Sequence, residues 1–131
     1  LEGNTMKMTS SRPYLLRAIY QWIVDNGLTP YMLVNAELSG VHVPTEHVSN
    51  GKIILNISPH AVQGMDMGDE EVGFHARFGG KSMFVHAPVQ AVMAVYSKEN
   101  GRGMVFAEED DTPPEPKAKT KSRQPTLRVV K

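Results

Sequence analysis

Residues 71–87 read EVGFHARFGGKSMFVHA and contain two strand-like runs separated by Gly79-Gly80. In a β-strand, successive side chains point to opposite faces of the sheet. The first run alternates accordingly, with one apolar side made of Val72, Phe74, Ala76 and Phe78. Its Gly73 marks either a bulge or barrel corner, or a place where another backbone approaches closely. This stretch predicts a small β-rich domain.

Five more short runs have strand-like composition and lie between turn residues. They are YMLVNAEL at 31–38, VHV at 41–43, KIILNI at 52–57, MAVYS at 93–97 and MVFA at 104–107. Asn50-Gly51 is a strong hairpin signal, and 88–92 is compatible with a helical turn. We therefore predict a mainly β (α+β) fold, in which an N-terminal helix precedes a small antiparallel β-barrel or sandwich.

The helix is predicted from RPYLLRAIYQWIVDNG, with Pro13 in its first turn and Gly27 just past its end. Helical spacing places four apolar side chains on one face, Leu15, Ile19, Trp22 and Ile23. Tyr14 and Ala18 lie on an adjoining face. The helix is thus apolar around more of its circumference than a one-sided surface helix requires. It is either wedged deeply in the domain or in contact with another chain.

Composition narrows the classes of function. The 131 residues suggest one domain with a tail, and the formal net charge of zero does not favour nucleic acid or an anionic membrane. Without cysteine there is no disulfide framework and no thiolate chemistry, which fits a cytoplasmic protein. No apolar run approaches the roughly 18–20 residues that span a bilayer.

The chain divides into four segments. Residues 1–11 are predicted to be a disordered N-terminus, whose first five residues we interpret as non-native, with Met6 or Met8 as the natural start. Residues 12–107 form the folded domain. Residues 108–126 are acidic, then proline-containing, then basic, and we predict a flexible linker. Residues 127–131 end the chain as LRVVK, whose apolar groups need somewhere to dock.

No catalytic motif is recognisable. GGKS at 79–82 lacks the earlier glycine of a phosphate-binding loop, because that position holds His75. The five histidines show no helical metal spacing; His75 and His86 could face each other on neighbouring strands, but such sites need three or four ligands. We therefore expect no enzymatic activity, no metal and no cofactor.

A small β-barrel that binds single-stranded RNA is the alternative. Such proteins combine surface aromatic and basic residues, and Arg77 between Ala76 and Phe78 could serve in this way. The neutral charge and modest aromatic content argue against it, so nucleic acid is an unlikely partner.

Several long motifs together resemble the stringent starvation protein B family, SspB. They are RPYLLRAIYQWIVDNGLTPYMLV, GVHVPTEHVSNGKIILNISPHAV, FHARFGG, VYSKENGRGMVF and the terminal LRVVK. The resemblance implies a homodimeric, non-enzymatic adaptor of the ClpXP protease. Such an adaptor binds the ssrA tag that trans-translation adds to stalled products and carries tagged proteins to ClpX.

The resemblance also implies residue roles. Residues 12–107 become the tag-binding and dimerisation domain, with Tyr14 and Ala18 at the dimer interface. The implied tag groove contains Ile57, Ser58, Ala61, Phe74, Ala76, Arg77, Phe78 and Met104. The implied peptide that docks on the ClpX N-terminal domain consists of Leu127, Arg128, Val129, Val130 and Lys131.

Overall fold

The computed structural model describes residues 8–106 and contains one helix followed by two antiparallel sheets. Helix α1 spans Arg12–Asp25. The strands are β1 (Pro30–Asn35), β2 (Lys52–Asn56), β3 (Val62–Met67), β4 (Glu71–Phe78), β5 (Lys81–Pro88), β6 (Val92–Ser97) and β7 (Gly103–Val105). Sheet A has the order β2-β1-β6-β7, and sheet B has the order β3-β4-β5.

The mainly β fold with an N-terminal helix is confirmed, but within residues 8–106 the two sheets do not close into a barrel. Within these residues each sheet has two edge strands, β2 and β7 in sheet A and β3 and β5 in sheet B. The predicted tail, 108–126, and the terminal 127–131 lie outside the described residues, as do residues 1–7.

The turn residues at two predicted connections adopt the backbone angles that their sequence favours. Asn50 and Gly51 have φ of 55° and 75°, and Gly79 and Gly80 have φ of 59° and 84°. Positive φ at both central residues is the signature of the two-residue turn that matches strand twist. The second turn joins β4 directly to β5, with Phe78 opposite Lys81. The helical turn predicted within 88–92 is a short 3₁₀ helix at Val89–Ala91.

Two strand assignments were wrong. The predicted strand VHV forms only an isolated bridge, His42 with His86. Conversely, β3 was missed, because the exposed Gln63 and Gly64 break the alternation between Val62 and the pair Met65 and Met67. Its pairing with β4 is irregular between Gln63 and Asp66.

Helix α1 packs mainly against β6, and its most buried apolar residues are Leu16 and Ile23. Seven residues apart, these two side chains lie on one side of the helix. Trp22, which the helical spacing grouped with Ile23, is instead 49% exposed. Gly27 has a φ of 74° just beyond the helix, as predicted.

One core joins the helix and both sheets. It contains Met32 and Val34 from β1, Ile53 and Leu55 from β2, Val72 and Phe74 from β4, and Val92 and Val95 from β6. The predicted apolar side of β4 therefore faces inward. Burying such side chains is the main favourable contribution to folding.

The buried Arg12 connects the start of α1 to the start of β6 and the turn before it. Its Nη1 donates hydrogen bonds to the carbonyl oxygens of Gln90 at 3.0 Å and Val92 at 2.9 Å. Its guanidinium also lies 5.3 Å from the centre of the Phe106 ring. A buried cation needs such partners, because desolvation of an unpaired charge is costly.

Candidate functional site

Two cavities lie near the end of β4. The larger one, beside β2, has a volume of about 530 Å³. The residues of β2 that line it are mostly apolar, and Phe78, the last residue of β4, also lines it. The lining residues are Leu33, His47, Ser49, Asn50, Lys52, Ile53, Ile54, Leu55 and Phe78. The rings of His47 and Phe78 lie 5.8 Å apart. This cavity can accept apolar side chains next to a strand edge.

A smaller cavity of about 300 Å³ lies where β3 begins beside β4. Its lining is more polar and consists of His60, Ala61, Val62, Gln63, His75, Ala76, Arg77 and Ser82. The Arg77 Nη1 donates to the carbonyl oxygen of Gly80 at 2.9 Å, which holds the guanidinium near the β4–β5 turn. None of the described residues that line this cavity carries a carboxylate. It therefore suits polar or acidic groups.

The end of β4 contributes to both cavities. Ala76 and Arg77 line the smaller cavity, and the next residue, Phe78, lines the larger one. The same holds for an earlier part of the chain. Strand β2 lines the larger cavity, and residues 60–63, which follow β2 closely in the sequence, line the smaller one. We treat the two cavities as one candidate binding region, because neighbouring residues of β4 line them, and call it the β4 cleft.

The structure brings four of the eight implied groove residues to this cleft, Ala61, Ala76, Arg77 and Phe78. Ile57 and Ser58 lie in the chain between β2 and β3 and are buried, with 0% and 7% of their surface exposed. Phe74 belongs to the core. Met104 is half-buried on β7, opposite Val95 in sheet A. None of these last four residues lines either cavity.

The cleft includes residues that the sequence interpretation did not name, among them Leu33, His47 and Ile54. One sequence signal was present. In KIILN the buried residues are Ile53 and Leu55, so Ile54 is apolar on the side where alternation predicts a polar group. Ile54 is 54% exposed.

The implied dimer residues lie on the outer side of α1. Tyr14 is 54% exposed and Ala18 is exposed. With the half-exposed Trp22 they recur every four residues, which makes one continuous stripe. Arg17 lies beside this stripe, 4.8 Å from the Tyr14 ring, and pairs with Asp69 at 3.0 Å.

The histidines of sheet B do not meet in the way considered from the sequence. Phe84 lies opposite His75, and His86 lies opposite Gly73. The Phe84 ring is therefore between the two imidazoles, 4.8 Å from His75 and 5.4 Å from His86. Within residues 8–106, no three His, Asp or Glu side chains are placed to hold a metal ion.

Two side chains with an altered pKa lie away from the β4 cleft. Burial raises the pKa of Tyr20 on α1. Hydrogen bonds from the backbone and hydroxyl of Thr29 lower the pKa of Glu99 to about 2. Neither group lines either cavity.

Comparison with known proteins decides the family. The model of the family Stringent starvation protein B matches residues 10–131, nearly the whole chain. The chain belongs to the SspB family. A Stringent starvation protein B homolog of Haemophilus influenzae is 44% identical over 104 residues, which cover 79% of this chain and 69% of that protein.

Membership of the SspB family makes the chain an SspB-type adaptor in general terms. The family match runs through residues 107–131 and so includes the terminal LRVVK. Among residues 8–106, the single α-helix is too short and too polar to cross a membrane.

Proposed function

We propose that this SspB-family protein binds the ssrA tag of trans-translation products in the β4 cleft and delivers tagged proteins to the ClpXP protease in the cytoplasm. The observation that carries the proposal is that consecutive residues at the end of β4 line two unlike cavities. A chain in extended conformation presents side chains alternately, and peptide-binding proteins take such side chains into separate pockets.

The two cavities favour different groups of a peptide. Leu33, Ile54 and Phe78 give the larger cavity apolar surface. In the smaller cavity Arg77 supplies a positive charge, and Ser82 and Gln63 supply polar groups. A tag with apolar and acidic residues would therefore be held by burial at one place and by charge at the other.

An adaptor of this kind breaks no bond in its cargo. Its work is to raise the local concentration of a tagged protein at the unfoldase, so binding groups are sufficient and no nucleophile or general base is required. The protein is accordingly proposed to be non-enzymatic and to need no cofactor.

Dimerisation is proposed through the outer stripe of α1. Tyr14, Ala18 and Trp22 present apolar surface that the chain's own core leaves uncovered. A twofold pairing of two α1 helices would bury the same stripe on both copies. The dimer would carry two clefts and two C-terminal tails.

The tails are proposed to dock on the N-terminal domain of ClpX. Residues 127–131 lie outside the described structure, and this role rests on their sequence and on the extent of the family match. A five-residue peptide docks weakly on its own, because ordering it costs entropy. A dimer carries two such tails, and ClpX would also hold the ssrA tag of the cargo. These simultaneous contacts would raise the effective affinity of the adaptor–cargo complex for ClpX.

The test is fluorescence anisotropy of a labelled ssrA tag peptide titrated with the full chain and with Ala61→Val. Ala61 is exposed and lines the smaller cavity, so two added methyl groups would obstruct it. We expect saturable binding that Ala61→Val weakens and that the control Ser39→Val, in an exposed turn lining neither cavity, leaves unchanged.

Absence of saturable binding by a folded sample would refute the proposal. Binding of single-stranded RNA with a steep dependence on salt would instead support the alternative function, because nucleic-acid affinity depends on counterion release.

A further inference from the structure

Strand β2 has an open edge whose hydrogen-bonding groups can be assigned from its pairing with β1. The Ile57 N–H donates to the Pro30 carbonyl at 3.0 Å, and the Ala36 N–H donates to the Gly51 carbonyl at 2.8 Å. In an antiparallel pair, alternate residues direct both backbone groups to the partner strand. The odd-numbered residues of β2 therefore face β1, and the even-numbered residues direct their N–H and C=O groups away from it.

The chain itself limits this edge to two residues. At one end, Lys52 exchanges hydrogen bonds with Ser49 at 2.8 and 3.0 Å, so its outward groups are occupied. At the other end, the Ser58 carbonyl accepts from the N–H groups of Ala61 and Val62. Within the described residues β2 pairs only with β1, so Ile54 and Asn56 keep two outward N–H and two outward C=O groups.

The two-residue stretch that stays open carries no charged side chain, proline or bulge. Open edges are commonly protected by charged side chains, proline or a bulge, which discourage pairing with other chains. Here the outward positions carry Ile54 and Asn56, and the Ile54 side chain is more than half exposed. The edge also borders the larger cavity, to which Ile54 and Phe78 both contribute. Unprotected backbone groups beside an apolar cavity are the arrangement that captures an extended peptide.

We propose that the bound peptide adds to sheet A as a fifth strand, pairing with β2 through Ile54 and Asn56 alone. This inference rests on the proposed function, since it concerns how the β4 cleft holds its peptide. Two peptide N–H groups, two residues apart, would donate to the Ile54 and Asn56 carbonyls, whichever way the peptide runs. The N–H groups of Ile54 and Asn56 would donate to peptide carbonyls in return.

The pairing also determines where peptide side chains fall. Alternate residues of an added strand lie on opposite faces of the sheet. One set would lie beside Ile54 and Leu33, which are neighbours across β2 and β1. The other would point to the side of Phe78, which packs on the core together with Ile53 and Leu55. Recognition would thus depend on the backbone of a short stretch and on apolar groups flanking it.

The test replaces single backbone amides of the labelled ssrA tag peptide by esters, which removes one N–H at a time and keeps every side chain. Affinity for the full chain is measured by anisotropy. We expect two positions, separated by one insensitive residue, to weaken binding about two- to tenfold each, the effect of losing one hydrogen bond. A flat profile, or sensitive positions without this spacing, would overturn the pairing.

A matched pair of chain variants gives a second readout. Ile54→Pro removes an outward N–H of β2 and should weaken binding, whereas Ile54→Val keeps it and should bind nearly as the parent does. Val105→Pro makes the same kind of change at the opposite edge of sheet A, lining neither cavity, and should leave affinity unchanged. Thermal unfolding of each variant checks that it is folded.

The outcomes separate the two proposals. If the peptide binds, Ala61→Val weakens it and the ester profile is flat, the proposed function stands and the pairing fails. If no ssrA tag peptide binds a folded chain, the proposed function fails and the pairing fails with it.

Discussion

Glu99 accepts two hydrogen bonds from Thr29, one from its backbone N–H at 2.9 Å and one from its hydroxyl at 2.7 Å. The turn after β6 is thereby joined to the residue before β1. These bonds favour the carboxylate over the carboxylic acid, and they lower the pKa of Glu99 from an ordinary 4.5 to about 2.

A pH dependence of stability follows from this pair. The folded pKa of Glu99 lies below its unfolded value, so its contribution is present above about pH 4.5 and is lost as the pH falls towards 2. Glu99→Gln should therefore unfold at a lower temperature than the parent at pH 6. Circular dichroism melts should show this difference shrinking between pH 5 and pH 2. A constant difference over that range would contradict the assignment.

Arg77 is expected to contribute charge to tag binding. Arg77→Gln should weaken binding of the labelled tag about two- to fivefold, a range typical of exposed ion pairs. It should also reduce the salt dependence of the affinity, because screening acts on the charged pair. Anisotropy titrations at two ionic strengths would measure both. Lys98→Gln removes the same charge from an exposed residue that lines neither cavity, and equal losses in the two variants would exclude a local role.

Gly103 is expected to tolerate no side chain. A Cβ there would overlap the carbonyl oxygen of Val95 and the backbone of Tyr96, neither of which can rotate away. Gly103→Ala should lower the free energy of unfolding by about 1–3 kcal/mol. At Gly73 a Cβ would instead meet the Phe84 ring at 3.1 Å, and that half-exposed side chain can shift. Urea denaturation should rank Gly73→Ala as the milder change.

Ala18 is expected to determine the oligomeric state. It lies between Tyr14 and Trp22 on the exposed stripe of α1, so Ala18→Glu would place two charges in the proposed twofold interface. Light scattering after size-exclusion chromatography should then give the mass of one chain in place of two. Ser39→Glu, in an exposed turn away from the helix, should remain a dimer. A dimeric Ala18→Glu would place the interface elsewhere.

The terminal residues are expected to act in delivery and not in tag binding. Deleting 127–131 should leave tag affinity unchanged and slow the ClpXP degradation of a tagged substrate to the rate without adaptor. Replacing Leu127 and Val129 by serine should do the same, whereas scrambling residues 117–121 of the linker should have little effect. Loss of tag affinity on deletion would show that the terminus also contacts the cleft.

Local signals predicted much of the fold. Asn50-Gly51 and Gly79-Gly80 identified turns because their backbone angles are rare in other residues. Strand β4 was recognisable because its apolar side chains alternate. Strand β3 was not, since its alternation is broken at Gln63 and Gly64 and its pairing with β4 is what makes it a strand.

The site was less accessible from the sequence. Arg77 and Phe78 were named through the family resemblance, but Leu33 and Ile54 were not. They join the cleft because β2 ends up at the edge of sheet A, and that position depends on β1 pairing with β6, far away in the sequence. No short-range pattern encodes this strand order, so the open edge and the cavity beside it became visible only in three dimensions.

The contacts of Arg12 have a consequence for synthesis on the ribosome. The carbonyl groups that accept its hydrogen bonds belong to Gln90 and Val92, so helix α1 emerges long before its anchor exists. Closing such long-range contacts is slow, because the intervening chain must first be ordered. A nascent chain interrupted before Val92 would lack β6, the strand on which α1 mainly packs. Its helix and the apolar side of β1 would stay uncovered, so a truncated copy of this protein would itself need removal by quality control.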